Sequence, residues 1–332
     1  GGKHTNTPEY QSLAYSGNEK GYREAQIARP APRAHKPKAF WEDGGRTLMA
    51  TLAKAVERTS IIVELETRAL TLITEDARVV GALCRQNGEI RAWRARSGVV
   101  LCCGGFIMNR EMVAKYAPRL KDATPIGNPA DTGAGILMGM GAGGAAINMN
   151  EGFISVIWYP SDEFCKGVFV NEQGQRFINE DCYHARGAHH CLNQSGRKAF
   201  MVVDSEIYTE PPLYSAAPVL EVAETFEELE RDAGFPAGTL SATLETYNRF
   251  AAQREDPLFH KSPEFLRPLD KPPYALLDFS IDSGIYYPAF TLGGLDTTVD
   301  GAVRTPTGNV VPGLYAAGRN TAGLPRGGEG YA

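Results

Sequence analysis

Val311-Pro-Gly-Leu-Tyr-Ala-Ala-Gly-Arg-Asn-Thr-Ala-Gly-Leu-Pro-Arg-Gly-Gly-Glu-Gly-Tyr-Ala332 holds a short apolar run that breaks into glycine. Gly313 to Ala317 reads as a buried strand, and a glycine-rich turn follows at once. Glycines at such a turn let backbone amides come close to a flat or anionic ligand. Upstream, Thr291-Leu-Gly-Gly-Leu295 puts a second glycine pair, Gly293 and Gly294, at a strand-like edge. Val100-Leu-Cys-Cys-Gly-Gly-Phe106 ends another strand in Gly104 and Gly105, which serves a close-lying ligand or a simple break into a loop. In Asp131-Thr-Gly-Ala-Gly-Ile136, Thr132 is placed to cap a helix and to present amides to a phosphate.

The rest of the chain organises around these breaks. Residues 1–43 are rich in Pro, Gly, Lys and Arg and read as a long surface segment. Helical spacing predicts a helix over 45–58. Strands are expected at Ile61–Leu65, Ala69–Glu75 and Val79–Arg85. An Asn87-Gly88 turn then leads to a strand at Glu89–Arg96, and a buried strand follows at Ser97–Cys103. Short helices follow at Asn109–Tyr116 and Thr132–Gly141. Gly139-Met-Gly-Ala-Gly-Gly144 matches a dinucleotide pattern, but it follows a helix and precedes a strand. It is read as a glycine-capped helix end. Past Met149 the texture changes. Strands at Val168–Asn171 and Arg176–Ile178 flank a turn, and helices are expected at Thr225–Ala233 and Ser241–Glu255.

At 332 residues the chain suits two domains. Hydrophobic content of 43% and charged content of 22% are ordinary for a globular enzyme. A net charge of −5 argues against nucleic acid or an anionic membrane as partner, and no apolar run is long enough to span a bilayer. The six cysteines form no Cys-x-x-Cys pair, which fits free thiols and a cytoplasmic location. Cys182, His184, His189, His190 and Cys191 lack the two-plus-two spacing of a zinc site, so no metal is expected.

Together the glycine-ended strands resemble the flavin-binding parts of the fumarate reductase, succinate dehydrogenase and 3-ketosteroid dehydrogenase flavoproteins. The likeness runs through nearly the whole chain, including Leu244-Glu-Thr-Tyr-Asn248 and Pro272-Pro-Tyr274. It implies an α/β fold, an FAD-binding Rossmann-like domain with an inserted α+β capping or substrate domain. The cofactor domain is expected at 1–149 and 285–332, and the insertion at 150–284. The family's ADP-binding fingerprint falls ahead of residue 1 and its last helix beyond Ala332. The chain is therefore expected to be truncated at both ends. FAD is the implied cofactor. Its implied contacts are Gly104, Gly105, Phe106, Asn109, Thr132, Gly133, Gly135, Gly293, Gly294, Ala317, Gly318 and Arg319. Where the family has an Asp in Thr-Gly-Asp-Gly-Ile, this chain has Ala134.

Two positions separate the branches of the family. After Gly167-Val-Phe-Val-Asn-Glu-Gln-Gly-Gln-Arg-Phe-Ile-Asn-Glu180, reductases place a proton-donating Arg, and here His184 stands there. Ketosteroid dehydrogenases carry a Tyr in this region, and Tyr183 is the counterpart. Reductases also need a His before their Thr-Met-Gly-Gly stretch, and here that residue is Phe290. A phenyl ring cannot pair a buried carboxylate. Tyr286 and Tyr287 are placed to hydrogen-bond a ketone oxygen, or else are ordinary strand aromatics. Arg326 falls one residue short of the reductase Arg.

The resulting expectation is an FAD-dependent dehydrogenase that introduces a double bond beside a ring ketone. Tyr183, Tyr286, Tyr287 and His184 are the catalytic candidates, and Phe290, Gly294 and Arg326 the substrate contacts. The small-molecule substrate is a bulky apolar ketone, and the electron acceptor is unknown. The alternatives are a dicarboxylate or enoate reductase clamping with Arg186 or Arg326, and a non-catalytic flavin-fold fragment.

Overall fold

The computed structural model describes the backbone of residues 3–4 and 35–36, then residues 44–156, 161–182, 184–210 and 216–324. An amphipathic helix at Gly44–Glu57 opens the continuous part. Three strands follow as an antiparallel meander, Thr67–Glu75, Arg78–Gln86 and Glu89–Arg94. Its second turn is Asn87-Gly88, both residues at positive φ, as a two-residue hairpin of this sequence requires. Ile61–Leu65, expected as a strand, takes no ladder. No strand among the described residues pairs with it, and its apolar side chains are exposed, Ile62 by 78%.

Two parallel strands position the site. Val99–Leu101 and Val310–Ala316 lie side by side with Leu101 opposite Ala316, and Ala302–Arg304 completes the sheet on the far edge. Both end at the same level and turn into Cys102–Gly105 and Ala317–Asn320. The first strand is shorter than expected because the chain leaves the ladder at the two cysteines. In α/β sheets, ligands sit outside the carboxyl ends of parallel strands, where backbone leaves the ladder.

Three further strands, Thr124–Pro125, Pro288–Thr291 and Gly152–Ile154, form a small mixed sheet beside this crevice. Residues 168–278 build a separate four-stranded antiparallel sheet in the order Val168–Asn171, Ala199–Asp204, Tyr274–Asp278, Val219–Ala223. The helix Phe226–Asp232, capped by the Thr225 hydroxyl, packs on it and against the helix Thr239–Ala251. Leu229, Leu240 and Leu244 are buried at that interface, and each such side chain contributes about 1.5–3 kcal/mol.

Arg176–Ile178 does not form the expected strand. It makes one bridge, between Val170 and Arg176, and then leaves. The Arg176 side chain enters a buried ion cluster. Arg176 pairs with Glu180 at 2.8 Å and with Asp256 at 2.9 Å, and Lys261 reaches Glu180 at 3.1 Å. Lys261 also donates to the Gly167 carbonyl and to the Tyr247 hydroxyl. Gly139–Gly144 is a helix end followed by the short strand Ala146–Ile147, not a dinucleotide turn.

Candidate functional site: a glycine-lined crevice at two parallel strand ends

Four chain segments meet at the crevice. The 102–105 and 317–320 turns come from the parallel strands. The 127–135 loop leads into the helix Ala134–Gly141, and Thr291–Gly294 comes from the small sheet. Their contacts are mutual. The Cys103 N–H donates to Asn320 Oδ1. The Phe106 N–H donates to Thr291 Oγ1 at 3.0 Å, the Gly133 N–H to the Gly105 carbonyl at 2.9 Å, and the Ala317 N–H to the Leu101 carbonyl at 3.0 Å. Arg319 pairs with the buried Asp131 carboxylate at 2.5 Å.

The expected cofactor residues separate into two groups. Ala317 and Gly318 are exposed at one strand end, facing the exposed Cys102 and Cys103 of the other, and Arg319 is part-exposed beside them. The others are used within the protein. Gly104 sits at φ +78 with the Asp131 carboxylate where a side chain would begin, so chain-to-chain contact demands glycine there. Gly293 and Gly294 are pressed in the same way against Met149 and against the Asn320–Thr321 backbone. Phe106 is fully buried and meets Tyr116 edge-on at 6.3 Å. Asn109 caps the helix Arg110–Tyr116, accepting from Met112 N–H at 3.1 Å while its Nδ2 donates to the Thr132 carbonyl. Thr132 itself is not a cap. Gly133 holds that position in left-handed geometry, with no side-chain bond.

A flavin nucleotide fits this arrangement. The two strand ends present exposed backbone side by side, a cation stands at their rim, and a hollow of about 460 Å³ lined in part by Val100, Tyr315, Ala317 and Thr321 adjoins them. The Asn320 side chain is fully buried, and its Nδ2 has no partner among the described residues.

The substrate and catalytic candidates are placed less uniformly. Phe290 is half-buried and stacks on Phe153, ring centroids 4.9 Å apart, with the Arg319 guanidinium 5.6 Å from its own ring. Tyr286 is 37% exposed, whereas Tyr287 is 1% exposed. The Tyr287 hydroxyl donates to the Phe279 carbonyl at 2.6 Å, and burial raises its pKa well above the ordinary tyrosine value. Tyr287 is thus a core residue with its hydroxyl committed, so the catalytic role expected of it does not fit this position. His184 opens the helix His184–Leu192 and is buried, which lowers its pKa to about 4. A neutral, buried imidazole is no proton donor near neutral pH. Arg186 is half-buried on the same helix. Tyr183 and Arg326, and the glycine pair after Arg326, lie outside the described residues. Among the described residues no group of three or more His, Cys, Asp or Glu is arranged to hold a metal ion.

Sequence reasoning missed the Asp131–Arg319 pair and the Arg176–Glu180–Lys261–Asp256 cluster. Asp131 and Arg319 are far apart in the chain, as are the Arg176–Glu180 and Asp256–Lys261 halves of the cluster. A lone charged residue beside glycines carries no pairing signal.

The chain matches the FAD binding domain family model over residues 6–329 and belongs to that family, whose cofactor is FAD. The fold is the mixed α/β arrangement of the FAD-binding dehydrogenases. A 3-oxosteroid 1-dehydrogenase of Mycobacterium tuberculosis is 30% identical over 84% of this chain and 58% of its own length. A cytochrome-type fumarate reductase of Shewanella frigidimarina is 26% identical over 88% of this chain and 52% of its own. Among solved structures, a 3-ketosteroid-Δ4-(5α)-dehydrogenase of Rhodococcus jostii in complex with 4-androstene-3,17-dione superimposes with a TM-score of 0.85. It is 35% identical, and the match covers 95% of this chain and 66% of that one. The chain spans from about a third to little more than half of the length of the curated relatives it matches. No described helix is long and apolar enough to cross a membrane.

Proposed function

We propose that the protein is a flavin-dependent dehydrogenase that introduces a carbon–carbon double bond beside the ketone of a steroid-like ring system. The stacked Phe290–Phe153 pair carries this reading. It puts a flat apolar wall beside the glycine pair, where a dicarboxylate would need paired donors. Ring faces of this kind cover a fused-ring substrate at roughly 25 cal/mol per Å² buried. The resemblance to the Rhodococcus dehydrogenase supports the same choice.

In this reading residues 1–149 and 285–332 form the cofactor domain and 150–284 cap it. The crevice at Cys102–Gly105 and Ala317–Arg319 holds FAD, which accepts hydride when bound. The chain's own work is orientation and proton handling. Tyr286, the exposed member of its pair, donates its hydroxyl to the substrate ketone. Polarising the carbonyl acidifies the adjacent C–H. Tyr183 takes that proton, a role that needs activation because a free tyrosine has a pKa of about 10. Tyr287 holds the backbone from which Tyr286 projects. Exclusion of water by Phe153 and Phe290 strengthens these polar contacts. The cytoplasmic location read from the cysteines belongs to the same proposal.

The test is turnover of a 3-ketosteroid with an artificial dye as electron acceptor, compared across three variants. Tyr183→Phe and Tyr286→Phe each lower turnover about a hundredfold, the ordinary size of general acid–base and carbonyl-polarising terms. Tyr287→Phe leaves turnover within a few-fold. Equal loss in Tyr287→Phe, or none in the other two, contradicts the assignment.

A further inference from the structure

We propose that Asp131 is a positioning residue of the flavin site: it fixes the Arg319 guanidinium at the crevice rim, where that cation meets the anionic part of FAD. The inference rests on the flavin reading above. Three observations place Asp131 in this role. Its carboxylate is 3% exposed yet pairs with Arg319 at 2.5 Å, whose side chain remains 34% exposed. The carboxylate is itself immobilised. Oδ2 accepts the Asn128 N–H at 3.1 Å, and Oδ1 lies against Gly104, where a side chain would stand. The Asp131 backbone is tied on both sides, its N–H to the Asn128 carbonyl and its carbonyl to the Met108 N–H. A fixed anion therefore holds a part-exposed cation.

Arg319 has five N–H donors, and the Asp131 pair uses one of them. The Arg319 side chain is 34% exposed, and its guanidinium lies 5.6 Å from the Phe290 ring. Arg319 follows Ala317 and Gly318, the exposed backbone at the end of the parallel strand. A guanidinium held this way is pre-organised to pair with an anion. In FAD the anionic part is the pyrophosphate, or the ring system after it has taken up electrons. Asp131 touches neither. It acts through Arg319.

The experiment is a double-mutant cycle of Asp131→Asn and Arg319→Met in the purified protein. The dissociation constant of oxidised FAD is read by flavin fluorescence, and the two-electron midpoint potential by dye titration. Each single variant is expected to weaken FAD about tenfold if the cation meets the pyrophosphate. If it meets the reduced ring, each lowers the potential by about 30 mV, the equivalent of tenfold for two electrons. In either case the double variant shows no more than one single loss, because Asp131→Asn only releases the cation that Arg319→Met removes. Losses that multiply in both readouts overturn the proposal, as does Asp131→Asn with neither readout changed. If Asp131→Asn does not fold, Arg319→Met carries the test with Asp131 intact, and an unchanged affinity and potential there overturn the proposal. A wild-type protein that takes up no FAD overturns this inference and the reading beneath it. Bound FAD without coupling overturns the inference alone.

Discussion

Replacing His184 with Gln should flatten the acid side of the stability profile. In the folded protein, burial lowers the His184 pKa from 6.5 to about 4. The folded state therefore refuses a proton that the unfolded chain accepts. The associated stability is fully present above pH 6.5 and is lost as pH falls toward 4. A shift of this size corresponds to about 3 kcal/mol in full, and to about 2 kcal/mol already lost at pH 5. His184 is buried throughout, so solvent screening removes little of this. Urea unfolding of wild type and His184→Gln at pH 7.5 and pH 5.0 gives the comparison. His189 and His190, also lowered by burial, titrate in both proteins and cancel in the difference. Wild type should lose about 2 kcal/mol more than the variant between the two pH values. Equal losses would refute the argument and would return His184 to the list of groups able to handle a proton.

Glu180→Gln leaves Arg176 and Lys261 short of a buried counter-charge and should cost about 3–5 kcal/mol, read by thermal unfolding. The direction follows from the site: burial alone would raise the Glu180 carboxyl, but Arg176 and Lys261 hold it below its ordinary value. Tyr287→Phe removes a buried donor from the Phe279 carbonyl and should cost about 1 kcal/mol or more in urea unfolding. Phe290→Ala should raise the Michaelis constant for a 3-ketosteroid about tenfold or more, because truncating a stacked ring removes apolar cover, while FAD affinity stays within a few-fold.

The helices and hairpins were legible where a local signal controls the backbone. Asn87-Gly88 dictates a hairpin turn whatever surrounds it, and Asn109 and Thr225 cap the helices that their positions announce. Glycine-ended strands were legible for the same reason, and the Gly139–Gly144 pattern could be set aside because its flanks have the wrong period. What failed depended on distant partners. Ile61–Leu65 has the composition of a strand, but a strand exists only where another backbone pairs with it. Arg176–Ile178 follows a turn as a returning strand would, but only Arg176 bridges back to Val170. At the site, the glycines were legible, but the chain-to-chain contacts they permit were not. Gly104, Gly293 and Gly294 also make room for Asp131, for Met149 and for the Asn320–Thr321 backbone. Tyr286 and Tyr287 could not be ranked by sequence, because neighbouring residues of one segment differ only in which face they turn to the core. Burial decides between them.

The central claim is that a flavin in this crevice oxidises a ring ketone. The most direct measurement is anaerobic mixing of the FAD-loaded protein with a 3-ketosteroid, set against mixing of the dithionite-reduced protein with fumarate, both followed at the flavin absorbance. The account predicts rapid bleaching of the oxidised flavin by the steroid and no reoxidation of the reduced flavin by fumarate. Rapid reoxidation by fumarate, with no bleaching by the steroid, would contradict it.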